Sequence, residues 1–498
     1  MWTQFAIACG HQVTAEAAAE VLRAGGTAAD AAVAGALAAM VAEPVLAGLL
    51  GGGFAMLAGP RETKLLDFFV QTPRRRARDI DFRAIEADFG TTTQEFHIGA
   101  GAVATPGVAP GLVELHARAG RMPLTELAEP ACRAAREGVT LTAYQAKLGR
   151  IVAPILEATP ASRALMCDGA GPLPEGATFR NPDFADVLEV FAREGARFVT
   201  EGEIARALVG LCGAGGHLGA DDLKAYRHQW RTPLSHSRGA QIALNPGPSL
   251  GGPLVALALE LAPDRPTPRA LAEIFRATGA ARLAAEDDPA ALGDPALMAP
   301  IRRALGQRLQ ATRGTTHISV IDSQGLGVAL TLSNGEGCGE ILPGTGIMPN
   351  NMLGEADLIP GAAEGDWTSW PTDRRLASMM CPMALRWSDG RLAMLGSGGS
   401  NRIRTALTQT ILNLTDRAMP LADAIEAPRL HVEGEALDFE EAGLPEPDRI
   451  ALLDAFSEAQ AWPEPSMFFG GAHGAIRHPK GGMEAAGDPR RAGVAITG

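Results

Sequence analysis

The segment Gly314-Thr315-Thr316-His317 has the residue types and context for a catalyst built on a single residue. A strand that begins with threonine, directly after a glycine and a charged connector, fits the product of self-cleavage. Scission of the Gly314–Thr315 bond would leave Thr315 with a hydroxyl nucleophile and a free α-amine. The ordinary pKa of such an amine is about 7.7–8.0, so a large neutral fraction can accept a proton at working pH. The plainer alternative is a β-branched pair inside an ordinary strand, and these four residues alone favour it.

Other candidate chemistry is thinner. Gly51-Gly52-Gly53 leads into a strand and lacks the Lys-Ser/Thr of a phosphate loop. Gly398-Gly399-Ser400 precedes a helical pattern, so its backbone N–H groups suit an anion or oxyanion, but it lacks the spacing of a dinucleotide loop. The 10 histidines show no paired ligand spacing, and His317 reads as a hydrogen-bonded strand residue; no metal or other cofactor is expected. The six cysteines (Cys9, Cys132, Cys167, Cys212, Cys338, Cys381) have no CxxC and read as reduced, mostly buried thiols.

The elements that must position these residues come from a chain of 498 residues, 46% hydrophobic and 20% charged, which predicts ample core and excludes global disorder. Aromatics are only 5% against 59 glycines, so closely approaching layers are expected. A formal charge of −13 argues against nonspecific binding to nucleic acid or an anionic membrane. The start, Met1–Gly10, has no basic segment followed by an apolar run, so no signal peptide and a cytoplasmic location are expected.

Two helices open the chain: one capped by Thr14 and stopped at Gly25-Gly26, the next capped by Thr27 with Asp30. Residues 71–98 read as polar and irregular, with Arg74-Arg75-Arg76 as a solvated run. Helical patterns follow at 107–118, 123–138 and 183–194, and the stretch from Pro263 to Arg313 reads as peripheral helices ending in an exposed connector. From Thr315 the chain alternates to Ile321, turns at Asp322-Ser323-Gln324-Gly325, and alternates again over Val328–Ser333, a β-hairpin. A strand at 392–396 runs into the Gly398 loop and a helix.

Taken in order, these strings resemble the γ-glutamyltranspeptidase family of N-terminal nucleophile hydrolases. The matching residues are Leu22–Ala32, Glu43-Pro44 with Gly51-Gly52-Gly53-Phe54, Thr105-Pro106-Gly107, Glu129-Pro130-Ala131, Asp221–Tyr226, and Pro248-Ser249 with Gly251-Gly252. Downstream come Thr315–Val320, Pro343-Gly344-Thr345-Gly346, Asn350-Asn351-Met352, Gly396–Gly399 and Asp488-Pro489-Arg490-Arg491.

The resemblance implies an α+β protein, an αββα four-layer sandwich of two antiparallel sheets between helical layers. It implies a precursor that cuts itself into 1–314 and 315–498, two pieces intertwined in one fold, with a homo-oligomer left open. Thr315 is then the nucleophile and Ser333 its supporting hydroxyl, while Gly398 and Gly399 are the favoured oxyanion donors. Asn334, Glu355 and Ser378 match substrate-binding positions. The activity implied is acyl transfer from γ-glutamyl amides such as glutathione to water or an amine. Asp67-Phe68-Phe69-Val70 departs from the family's Asp-x-Arg-Glu, placing Phe69 where an arginine clamps the substrate carboxylate, and Met379 replaces a second serine. Arg74–Arg76 are candidates to compensate. The same chemistry on a different small acyl amide, or an unprocessed inactive homologue acting as a binding module, are the alternatives.

Overall fold

The computed structural model describes residues 4–88, 93–284, 314–355, 358–359, 366–367 and 369–498. Its centre is the hairpin of Thr316–Ile321 and Gly327–Ser333, paired in antiparallel register with Thr316 opposite Leu332 and Ile321 opposite Gly327. This hairpin sits inside a seven-stranded antiparallel sheet. The strand order is Gln229–Arg231, Thr63–Asp67, Gly52–Ala58, Gly327–Ser333, Thr316–Ile321, Ala6–Cys9, Val494–Thr497. A second antiparallel sheet has six strands: Leu234–Ser237, Gln241–Leu244, Met383–Arg386, Leu392–Gly398, Gly471–Arg477 and Met483–Gly487.

The two sheets face each other through Met56, Leu65, Ile321 and Ala329 on one side and Leu385, Met394 and Ala475 on the other. Because both faces of the first sheet are covered, every residue of Gly52–Ala58 and of Gly327–Ser333 is buried. Its outer face carries the helix Ala28–Ala42, buried at all 15 positions and packed in one cluster with Ile318, Val320 and Leu330. Alanine on every side lets this helix lie close to the sheet. The second sheet is covered by the helices Gly251–Leu261 and Arg402–Thr415, with Val255, Ile403, Leu407 and Ile411 in the shared core. The four layers are the expected αββα sandwich.

Local readings divide. The Thr27–Asp30 capping box is present, with Thr27 N–H donating to Asp30 Oδ2 at 2.9 Å. The first helix starts earlier than Thr14, at Gln12, because His11 Nδ1 accepts the Val13 N–H and caps it, leaving Thr14 buried inside the helix. Residues 71–98 are more ordered than their polarity predicts: Arg83–Asp88 and Thr93–Ile98 pair as a two-stranded ribbon, which buries Phe96 and Ile98 against Ile151 and Ile155. The helix Pro268–Ala284 opens the charged stretch, and the rest of that connector lies outside the described residues. All six cysteines are free thiols, five of them buried.

Candidate active site

Thr315 stands at the entry of its hairpin strand, between the two sheets, and is almost wholly buried. Two glycines allow the surrounding chains to close on it. A Cβ on Gly51 would lie 2.2 Å from the carbonyl oxygen of Ser333, and one on Gly398 would lie 2.2 Å from that of Thr315. The glycine runs therefore serve close backbone approach around the threonine rather than phosphate binding.

The glycine before Thr315 is gripped at both ends by one turn. Ser333 Oγ donates to the Gly314 carbonyl oxygen at 2.6 Å and itself accepts the Gly335 N–H at 3.0 Å. The Gly314 N–H donates to Glu336 Oε1 at 2.9 Å. Behind the threonine, Thr316 Oγ1 donates to the buried carboxylate of Glu43, 3.1 Å from each oxygen. Burial pushes the Glu43 carboxyl up to about 7, against the opposing effects of the Thr316 hydrogen bond and the Arg491 charge. His317 is held between Thr331 Oγ1 (2.7 Å) and Ser319 Oγ (2.9 Å), and burial keeps its pKa well below the usual range. It is a neutral, structural imidazole, as the sequence suggests.

Thr315 and Ser333 open onto one shared pocket. Glu355 and Ser378 line it too, so four of the sequence-derived residues converge there. Phe69 also lines the pocket, stacked on Phe54 with ring centroids 5.4 Å apart, and the rest of the wall includes Leu250, Met352, Leu358, Met379 and Met380. Among the described residues of that lining, Glu355 is the one charged group and there is no arginine or lysine.

Asn334, Gly398 and Gly399 fall outside the described lining of this pocket, and the basic run stays on the surface as the sequence reads it. Asn334 lines a neighbouring pocket with Glu336, Met40, Phe184 and Ile347, and its Nδ2 donates to the Met348 carbonyl at 3.1 Å. One residue beyond Ser333, its side chain leaves on the other side of the turn. Gly398 and Gly399 are not among the described lining residues: Gly398 ends its strand opposite Gly471, against the Thr315 carbonyl, and Gly399 (φ 125°) packs on Gly470. Ser400, at φ 52°, and Asn401 line the pocket instead, immediately before the helix Arg402–Thr415. Arg74, Arg75 and Arg76 are exposed: Arg74 pairs with Asp373, and Arg76 lies over Trp370 and donates to its carbonyl. They form a surface run and add no charge to the pocket.

Glu336 and Asn401 escape sequence reasoning, whereas Ser400 and Arg491 lie in strings that the sequence already singles out. Arg491 braces the Gly398 loop, since Cβ atoms on Gly398 and Gly399 would meet its guanidinium at 3.3 and 3.2 Å. Its neighbour Arg490 is fixed by Glu440 at 2.7 Å, and Asp488 binds Arg429 at 2.6 Å, so the Asp488–Arg491 string is a buried brace. The signal for Glu336 is a lone acid between two glycines, three residues after Ser333.

The family model described as Gamma-glutamyltranspeptidase matches residues 14–311 and 301–498. The chain belongs to this family. As a γ-glutamyltranspeptidase-family protein it is an enzyme of the N-terminal nucleophile type, a hydrolase or transferase. The Acylase ACY 1 proenzyme of Pseudomonas sp. (strain V22) is 34% identical to it over 485 residues, covering 90% of this chain and 86% of the relative. The Glutathione hydrolase proenzyme of Escherichia coli (strain K12) is 27% identical over 518 residues, covering 95% and 88%. Among solved structures, a cephalosporin acylase from Bacillus halodurans shares the fold with a TM-score of 0.82 at 22% identity, covering 99% of this chain and 96% of its own. Family membership thus spans acylases and glutathione hydrolases.

Proposed function

We propose that this chain cuts itself between Gly314 and Thr315, into 1–314 and 315–498, and that the product hydrolyses or transfers a small acyl group lacking an amino-acid carboxylate. The observation that carries the acyl preference is the pocket wall: Phe69 stands in it, and no described lining residue is cationic. A carboxylate buried there would lose its solvation without an opposite charge. The 34% identity to an acylase proenzyme points the same way.

Thr315 Oγ attacks the amide carbonyl, its proton passes to the Thr315 α-amine, and collapse of the tetrahedral intermediate expels the amine product protonated by that group. Water or an amine acceptor then resolves the acyl-threonine ester. The backbone N–H groups of the turn Gly399–Asn401, at the start of the Arg402–Thr415 helix, are assigned to the oxyanion, and Ser333 orients the threonine.

The γ-glutamyl reading, with glutathione as a substrate, is favoured by Glu355 and Ser378, which both line the pocket. Glu355 suits an α-ammonium; nothing cationic in the described lining suits the carboxylate beside it. The experiment that separates the two readings compares kcat/KM for a γ-glutamyl anilide with its descarboxy analogue on the processed protein. A strong preference for the carboxylate-bearing substrate would reverse the choice.

A further inference from the structure

The turn Ser333–Glu336 grips Gly314 by its carbonyl and its N–H together, yet Gly314 is the residue that self-cleavage removes from Thr315. Cleavage leaves the Glu336 carboxylate in place, fixed by its own N–H donating to Asn351 Oδ1 at 2.9 Å and by the Gly337 N–H on the same oxygen at 3.2 Å. Three covalent bonds separate Gly314 N from Thr315 N, a span under about 4 Å. The carboxylate therefore lies within about 7 Å of the atom that becomes the α-amine, in a buried region where charges are little screened.

We propose that Glu336 is the positioning residue of the threonine's amino end: it holds Gly314 for cleavage and then remains beside the new α-ammonium as its counter-charge. This rests on the self-cleavage reading above. The amine must shed its proton to act as base, so a nearby anion raises the pH at which it does so. Other charges face the same point. Glu355 reaches it from the pocket, its Oε1 2.5 Å from where a Cβ on Gly335 would sit, while Glu43 lies behind Thr316 and Arg491 behind Gly398. Glu336 differs from them in contacting the scissile residue itself.

The test uses the full-length chain. Self-cleavage of Glu336→Ala should slow about tenfold, and Glu336→Gln, which keeps an acceptor oxygen for the Gly314 N–H, should recover most of the rate. On the processed Glu336→Gln enzyme, the acid limb of kcat/KM should move to lower pH by about half a unit or more, a change that loss of packing alone does not produce. An unmoved acid limb in Glu336→Gln overturns the proposal, as does cleavage of Glu336→Ala at the wild-type rate. Should Glu336→Ala fail to fold, the Glu336→Gln profile decides. Wild-type chain that stays intact, or is cut elsewhere, instead overturns the self-cleavage reading.

Discussion

Ser333 Oγ donates a 2.6 Å hydrogen bond to the carbonyl oxygen of Gly314, the carbonyl that Thr315 must attack to free its own amine. A donor on that oxygen is in position to receive the charge that develops there during cleavage. Ser333→Ala should slow self-cleavage about a hundredfold, the usual cost of one oxyanion donor. Ser333→Thr keeps the hydroxyl and should stay within about tenfold of wild type. The appearance of two bands on a denaturing gel over time measures both.

The cut itself has a defined product. N-terminal sequencing of the smaller piece should read Thr-Thr-His-Ile, starting at Thr315. Thr315→Ala should abolish cleavage and acyl transfer, because it removes the nucleophile for both, whereas Thr315→Ser should keep part of each. Hydrolysis by Thr315→Ala near the wild-type rate would exclude Thr315 from the chemistry.

What the sequence made legible follows from periodicity and from order. The hairpin around Thr315 reads correctly because its strands alternate about a clear turn, and the Thr27–Asp30 box because both partners lie within one helical turn. The ribbon Arg83–Ile98 is hidden, since its apolar residues are few and its order comes from packing on Ile151 and Ile155, far off in sequence. At the site, motif order locates the turn after Ser333 but not the direction of each side chain. Neighbouring residues in an extended segment point to opposite sides, so Asn334 and Ser333 part company. The loop after Gly396 is equally ambiguous until its backbone is seen: the positive φ at Gly399 and Ser400 turns Ser400 and Asn401, not the glycines, toward the pocket.

Glu43 gives the fold a pH dependence. Its folded pKa, about 7, lies above its ordinary 4.5, so the folded chain binds more protons than the unfolded one between those values. Stability from this group is fully present below pH 4.5 and is lost as pH rises toward 7, by about 3 kcal/mol in all. Glu43→Gln keeps a partner for Thr316 and cannot ionise, so it should flatten that part of the profile. Urea denaturation at pH 5 and pH 8, wild type against variant, measures the difference; equal slopes would mean Glu43 is ionised throughout.

On the proposed reading, Phe69 decides what acyl group the pocket accepts. Its ring is almost completely buried, stacked on Phe54, and its wall position places an apolar face where a carboxylate-bearing acyl chain needs a cation. A charge-assisted hydrogen bond is worth roughly 1.5–3 kcal/mol, so its absence should cost a γ-glutamyl substrate about ten- to a hundredfold in kcat/KM. Acyl groups without the carboxylate escape that penalty and gain contact with the ring. Phe69→Arg should move preference toward γ-glutamyl anilide over its descarboxy analogue by a similar factor, since Glu355 across the pocket offers the new guanidinium a counter-charge and the substrate ammonium a partner. The variant gives up the Phe54 stack, so its melting temperature must be read beside its kinetics. A folded, processed Phe69→Arg with unchanged preference would show that the acyl carboxylate does not reach this wall.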